Sequence, residues 1–187
     1  MPIRFLKFEI IREIGANMGA IILLSGPAGA GKTTVAKELV AAATGPTSYI
    51  EGDKFWFFIA KSGLAQNKPR DFKMIMTSMT AAALPYALYG YQVIVDFSFP
   101  PWFLDTVRKV VKDKVPVHYI VLRPSEAVCI ERAASRKEGR ITNYSKYHEL
   151  YTSFDEVQRN IIADDFNDAS VVSDHMREAI DEGMFII

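Results

Sequence analysis

A mainly parallel α/β sheet is the fold class that this 187-residue sequence predicts. Two observations predict it. Short apolar, β-branched runs alternate along the chain with longer helix-forming stretches, the pattern of successive βα units. The first run, Ala20–Leu24, is apolar at every position, as a strand covered on both faces must be, and it leads straight into a glycine-rich loop.

The remaining elements follow in order. Thr33–Ala43, rich in Ala, Lys, Glu, Leu and Val, is the next helix, and Ser48–Glu51 is a second short strand. A long helical region spans about Asp71 to Tyr89, with a bend expected near Pro85. Gln92–Val95 is the third strand, Phe103–Lys112 a helix and Val117–Leu122 the fourth strand. Ser125–Arg136 is helical with Ser125 as its N-cap, and Lys146–Ile162 is another helix. Ser170–Ser173 is expected to be the last strand of the sheet. Residues 1–19 mix Arg4, Lys7, Glu9, Arg12 and Glu13 with Ile, Leu and Phe. That is too charged for a signal-peptide core and reads as a short amphipathic helical extension, with Met18 as an alternative start.

Size and composition fit one domain, residues 1–187, with 49% hydrophobic content to fill a core. Lys+Arg and Asp+Glu both number 22, so no global field attracts nucleic acid or an anionic membrane. The lone Cys129 excludes an intramolecular disulfide and a Cys-based metal site, and its apolar surroundings predict a buried thiol. His118, His148 and His175 lie too far apart for metal-ligand spacing. No apolar run reaches membrane-spanning length, so a cytoplasmic location is expected by default, as a monomer or homodimer.

Right-handed crossovers put functional loops at the carboxyl ends of parallel strands, here after Leu24, Ile50, Val95 and Leu122. The loop after Leu24 contains Gly26-Pro27-Ala28-Gly29-Ala30-Gly31-Lys32-Thr33, followed by Thr34. It matches the P-loop spacing G-x-x-x-x-G-K-[ST] in full. Glycines let the backbone curl until several N–H groups point at phosphate oxygens, and the helix beginning near Gly31 adds its positive end. In that setting Lys32 reaches the β- and γ-phosphates and the Thr33 hydroxyl ligates Mg²⁺. These residues are candidates to bind a nucleoside triphosphate.

Two further strand ends carry carboxylates, Asp53 just beyond the second strand and Asp96 at the end of the third. Asp96 resembles a Walker B aspartate that holds Mg²⁺, and Asp53 is placed to orient an acceptor hydroxyl and take its proton. The pattern leaves their roles exchangeable. After the fourth strand, Arg132 and Arg136 lie one helical turn apart, followed by Arg140. A basic segment there can close over the triphosphate, cover developing charge and stack on adenine.

Together these residues resemble the small P-loop kinases of the nucleoside-kinase-like group, which includes gluconate, shikimate and adenylate kinases and chloramphenicol phosphotransferases. The resemblance covers about Ala20 to Ser173. It implies a three-layer P-loop NTPase sandwich, a five-stranded parallel sheet in order 2-3-1-4-5, and a short lid at about 136–145. It implies ATP and Mg²⁺, a small-molecule acceptor covered by about 54–90, Arg132 on the adenine side and Arg136 on the phosphates. The catalytic set is then Lys32, Asp53 and Arg136. The acceptor signatures of individual members are absent; Lys54, not an arginine, follows Asp53.

Both acidic strand ends run into aromatic clusters, Phe55–Phe58 and Phe97–Phe103, which can line an acceptor pocket or pack the core. Lys54, Lys61, Arg70 and Lys73 are candidates to read an anionic group, or are solvated surface. A guanine-reading switch would need Asn-Lys-x-Asp; Asn67-Lys68-Pro69-Arg70 lacks the Asp and precedes the third strand. A polynucleotide 5′-hydroxyl kinase is the other alternative, disfavoured by the neutral charge.

Overall fold

The computed structural model describes residues 18–60, 69–165 and 167–187. The extension over 1–19 therefore lies, apart from Met18 and Gly19, outside the described residues. So do Lys61, Asn67 and Lys68.

Among the described residues, the strands are β1 (Ile21–Ser25), β2 (Thr47–Glu51), β3 (Gln92–Asp96), β4 (Val117–Leu122) and β5 (Ile161–Ile162). They form one parallel sheet in the order β2-β3-β1-β4-β5. The helices are α1 (Lys32–Ala41), α2 (Pro69–Leu88), α3 (Leu104–Val111), α4 (Glu126–Ala134), α5 (Ser145–Ser153) and α6 (Ala169–Asp181). No helix among them is long and apolar enough to cross a membrane.

Strand alternation sorts the core into two layers. Ile21, Leu23, Val93, Val95, Tyr119 and Val121 face α2 and α3, meeting Ile75, Met79, Ala83 and Val107. Ile22, Leu24, Ile94, Ile120 and Leu122 face α1, α4 and α6, meeting Val35, Leu39, Cys129 and Met176. A central strand with both faces covered needs apolar residues on both; Ile21–Leu24 supply them, and the buried Ser25 at the end of β1 donates its hydroxyl to Phe99 O (2.7 Å). Each fully buried Leu or Ile adds about 1.5–3 kcal/mol. α2 runs through Pro85 although proline cannot donate to the carbonyl one turn back. Met76, Met79, Ala83 and Ala87, at helical spacing, keep that face buried across it.

Two expectations at the carboxyl end are corrected. Ser170–Ser173 is not a strand but part of α6. Val171 and Val172 favour strands intrinsically, but Val172, Ser173, Met176 and Ile180 are buried at helical spacing and tertiary packing decides. The fifth strand is instead Ile161–Ile162, inside the stretch expected to be one helix over Lys146–Ile162. α5 ends at Ser153 and a 3₁₀ segment follows, interrupted at Val157 by a non-helical backbone (φ −129°, ψ 44°). The buried Asn160 then donates from Nδ2 to the Tyr119 carbonyl (2.8 Å), which holds Ile161 and Ile162 beside Val121 and Leu122.

The register also positions the chemistry. Leu24 pairs with Asp96, and Glu51 pairs with Asp96 on the other side. The carboxyl ends of β1, β2 and β3 therefore lie level, so the glycine-rich loop, the turn after Glu51 and Asp96 share one edge.

Candidate active site

The loop Gly26–Thr33 leaves β1 and folds back into α1. Gly26 (φ +141°), Gly29 (φ +83°) and Gly31 (φ +91°) occupy backbone conformations that side chains strain. Space is also short. A Cβ on Gly26 would lie 2.1 Å from the Leu122 carbonyl oxygen, and one on Gly29 would lie 2.1 Å from that of Cys129. Gly29→Ala is therefore expected to cost at least about 2 kcal/mol, from left-handed strain plus overpacking. Thermal unfolding reads this as a clear drop in melting temperature, and an unchanged midpoint would contradict the loop geometry.

Side chains brace the loop. Lys32 Nζ donates to the carbonyls of Gly26 (3.0 Å) and Pro27 (2.9 Å). The Tyr144 hydroxyl donates to Ala28 O (2.8 Å), and Ser98 Oγ donates to Gly26 O (2.9 Å). The buried Ala30 donates its N–H to Pro27 O (3.3 Å). α1 starts with Gly31 as N-cap and no side-chain cap, so its first N–H groups are available to an anion.

Asp96 ends β3 and is buried. Thr33 Oγ1 donates to its Oδ2 at 2.6 Å, and the Tyr49 hydroxyl donates to the same oxygen at 3.3 Å. Burial pushes the Asp96 carboxyl up, while Lys32 and the two hydroxyls pull it down. Burial lowers the Lys32 ammonium; Asp96 and Asp53 oppose that shift and Arg136 adds to it. These couplings bring Lys32, Asp53, Asp96 and Arg136 into one electrostatic group. Thr33 and Asp96 supply hard oxygen donors of the kind Mg²⁺ takes. Among the described residues there is no cluster of three or more His, Cys, Asp or Glu. Two protein oxygens, one hydroxyl and one carboxylate, fit Mg²⁺ of the kind whose remaining ligands are phosphate oxygens and water.

Asp53 is exposed at the start of a 3₁₀ segment, Gly52–Phe58. Gly52 lets that segment pack closely, since a Cβ there would meet Phe97 and Met79 at 2.6–2.7 Å. Glu51 is engaged by Lys54 (2.9 Å), and Arg70 faces Asp71 (3.6 Å). Lys73 is exposed. The aromatic clusters divide. Phe97, Phe99 and Phe103 pack within the core, Phe99 and Phe103 stacked at 5.9 Å, while Phe57, Phe58 and Trp102 are exposed.

Arg132 borders a cavity of about 220 Å³ beside the loop, also lined by Gly31, Thr34, Asp164, Asn167 and Val172. Its Nη2 donates to Asp165 O at 3.1 Å. Ser125 is the N-cap residue of α4 but its hydroxyl makes no capping bond; its backbone N–H donates to Asp165 Oδ1 (2.6 Å), which ties Asp165 to the start of α4. Arg136 and Arg140 are exposed in the segment between α4 and α5. Sequence reasoning missed Tyr49, Tyr144 and the side chains of Asp164, Asp165 and Asn167. For these last, the Asp164-Asp165…Asn167-Asp168 run before a helix is a usable signal.

The fold is shared with solved structures. The Deinococcus radiodurans tunicamycin resistance protein is similar at a TM-score of 0.65 and 19% identity, over 90% of this chain and 98% of that one. The Mycobacterium tuberculosis APS kinase, solved with AMPPNP and APS, is similar at 0.65 and 17%, over 88% and 99%. The Acinetobacter baumannii shikimate kinase, solved with shikimate, is similar at 0.62 and 17%, over 89% and 94%. No curated protein matches the chain in sequence. A family model described as an AAA domain matches residues 21–149, well over half of the chain, so the protein belongs to that family, with the fold of the small P-loop kinases.

Proposed function

We propose that the protein is an ATP-dependent phosphotransferase that moves the γ-phosphate to a hydroxyl of a small molecule such as a sugar, sugar acid, antibiotic or nucleoside. The observation that carries this reading is the Thr33–Asp96 hydrogen bond (2.6 Å) beside Lys32, with Asp53 coupled to both charges. Asp96 and Thr33 hold Mg²⁺ in this reading, and bound Mg²⁺ neutralises phosphate charge. Asp53, exposed toward solvent, is the base. It orients the acceptor hydroxyl and takes its proton as the acceptor oxygen bonds to the γ-phosphorus and the bridging P–O bond to ADP breaks. Lys32 and Arg136 stabilise charge on the moving phosphoryl group.

The cavity beside Arg132 takes the adenine, the guanidinium stacking on the ring. Arg132→Ala is expected to weaken ATP binding about tenfold, a cation–π contact plus lost packing. Calorimetric titration checks it; unchanged affinity, or a strong preference for GTP over ATP in the wild type, would remove Arg132 from that role.

One observation favours a polynucleotide acceptor. A chain of an RNA repair complex shares the fold at a TM-score of 0.61 and 18% identity, although this chain spans only 46% of it. The charge balance of 22 against 22 weighs on the other side. A coupled ATP-consumption screen across sugars, sugar acids, nucleosides, aminoglycoside-type antibiotics and 5′-hydroxyl oligonucleotides separates the readings. Acceptor-dependent turnover with a small molecule supports the proposal. Tight nucleotide binding without any acceptor-dependent turnover favours a nucleotide switch.

A further inference from the structure

Asp96 receives a second hydroxyl that no phosphate-loop pattern calls for. Tyr49 sits in the middle of β2, in register with Ile94 on β3, and packs on the α1 face of the sheet. Asp96 is two residues further along β3 on that same face. Two residues of strand advance about 6.6 Å, a span that a tyrosine ring lying along the sheet covers. Its hydroxyl arrives 3.3 Å from Asp96 Oδ2, the oxygen that also accepts from Thr33 at 2.6 Å. The two donors come from different elements, one from β2 and one from the start of α1.

We propose that Tyr49 is a positioning residue for the metal: its hydroxyl, with that of Thr33, fixes the Asp96 carboxylate in the orientation that meets Mg²⁺. The inference rests on the reading of Thr33 and Asp96 as the metal-holding pair. The chemistry suits the task. A neutral hydroxyl orients a carboxylate without cancelling its charge, whereas a lysine or arginine in the same place would compete with the cation. The phenol of a tyrosine is protonated at neutral pH, so this hydroxyl has a proton to donate to the carboxylate. The charged groups around the Tyr49–Asp96 pair are Lys32 and Asp53 from other elements and Glu51 from β2 itself.

Tyr49→Phe keeps the ring and removes the hydroxyl. Mn²⁺ titrated into the protein with AMPPNP, followed by electron paramagnetic resonance, is expected to bind about tenfold more weakly in the variant. AMPPNP affinity in EDTA and the metal-free melting temperature should not change. In turnover, the Mg²⁺ concentration for half-maximal rate should rise by a larger factor than kcat falls. Unchanged Mn²⁺ affinity in Tyr49→Phe overturns the inference, as does an equal loss of AMPPNP affinity with and without metal. Asp96→Asn keeps the two layers of the account distinguishable. If that variant also leaves Mn²⁺ binding unchanged, the metal-site reading itself fails; if only Tyr49→Phe is silent, the positioning role alone fails.

Discussion

Lys32→Ala is expected to lower the rate of phosphoryl transfer by at least about a hundredfold to a thousandfold, the scale of losing one preorganised charge at the reacting group. The lysine spans the mouth of the loop, its ammonium held by the carbonyls of Gly26 and Pro27 at 3.0 and 2.9 Å. In that position it is ready to exchange two neutral acceptors for anionic phosphate oxygens. Burial disfavours its charge, so phosphate recovers interaction energy that the free site forgoes. The alanine variant should also bind nucleotide more weakly. Rapid-quench measurement of transfer at saturating ATP checks the rate separately from affinity. A variant with near-normal transfer would remove Lys32 from the chemistry.

Asp53→Asn should act differently. The side chain is exposed and the amide is nearly the same size, so folding and ATP affinity should change little. Loss of the base should cost about 10²–10⁴ in kcat. Asp96→Asn should instead raise the Mg²⁺ requirement, because Asp96 is buried and bonded to Thr33 at 2.6 Å. The sequence left the two aspartates interchangeable. Asp96 is buried and hydrogen-bonded whereas Asp53 is exposed, and the two variants test whether their roles differ as proposed. Equal effects on Mg²⁺ dependence would mean that the carboxylates share the metal.

What could be read in advance follows from how local each signal is. Gly26–Thr33 is legible because eight adjacent residues make the loop and the start of its helix. Asp53 and Asp96 are legible because each lies at the carboxyl end of a strand-like run, and parallel strands put such positions on one edge. Tyr49 was not, since its partner is 47 residues away and they meet only because of the β2–β3 register. Tyr144 likewise reaches Ala28 across 116 residues of chain. β5 is two residues long and carries no periodicity, whereas Val171-Val172 has the composition of a strand and the burial of a helix. The aromatic runs were ambiguous for another reason. Phe99 and Phe58 look alike as sequence, and only packing decides that one is fully buried and the other 78% exposed.

In the proposed reaction the loop presents a triphosphate for transfer to a hydroxyl. The most direct test uses ATP labelled in its γ-phosphate, with an acceptor identified by the coupled screen. The account predicts that the label moves to the acceptor as a phosphate ester, with one ADP formed per ester and loss of transfer in Lys32→Ala. Label recovered only as inorganic phosphate, at a rate independent of the acceptor, would contradict it.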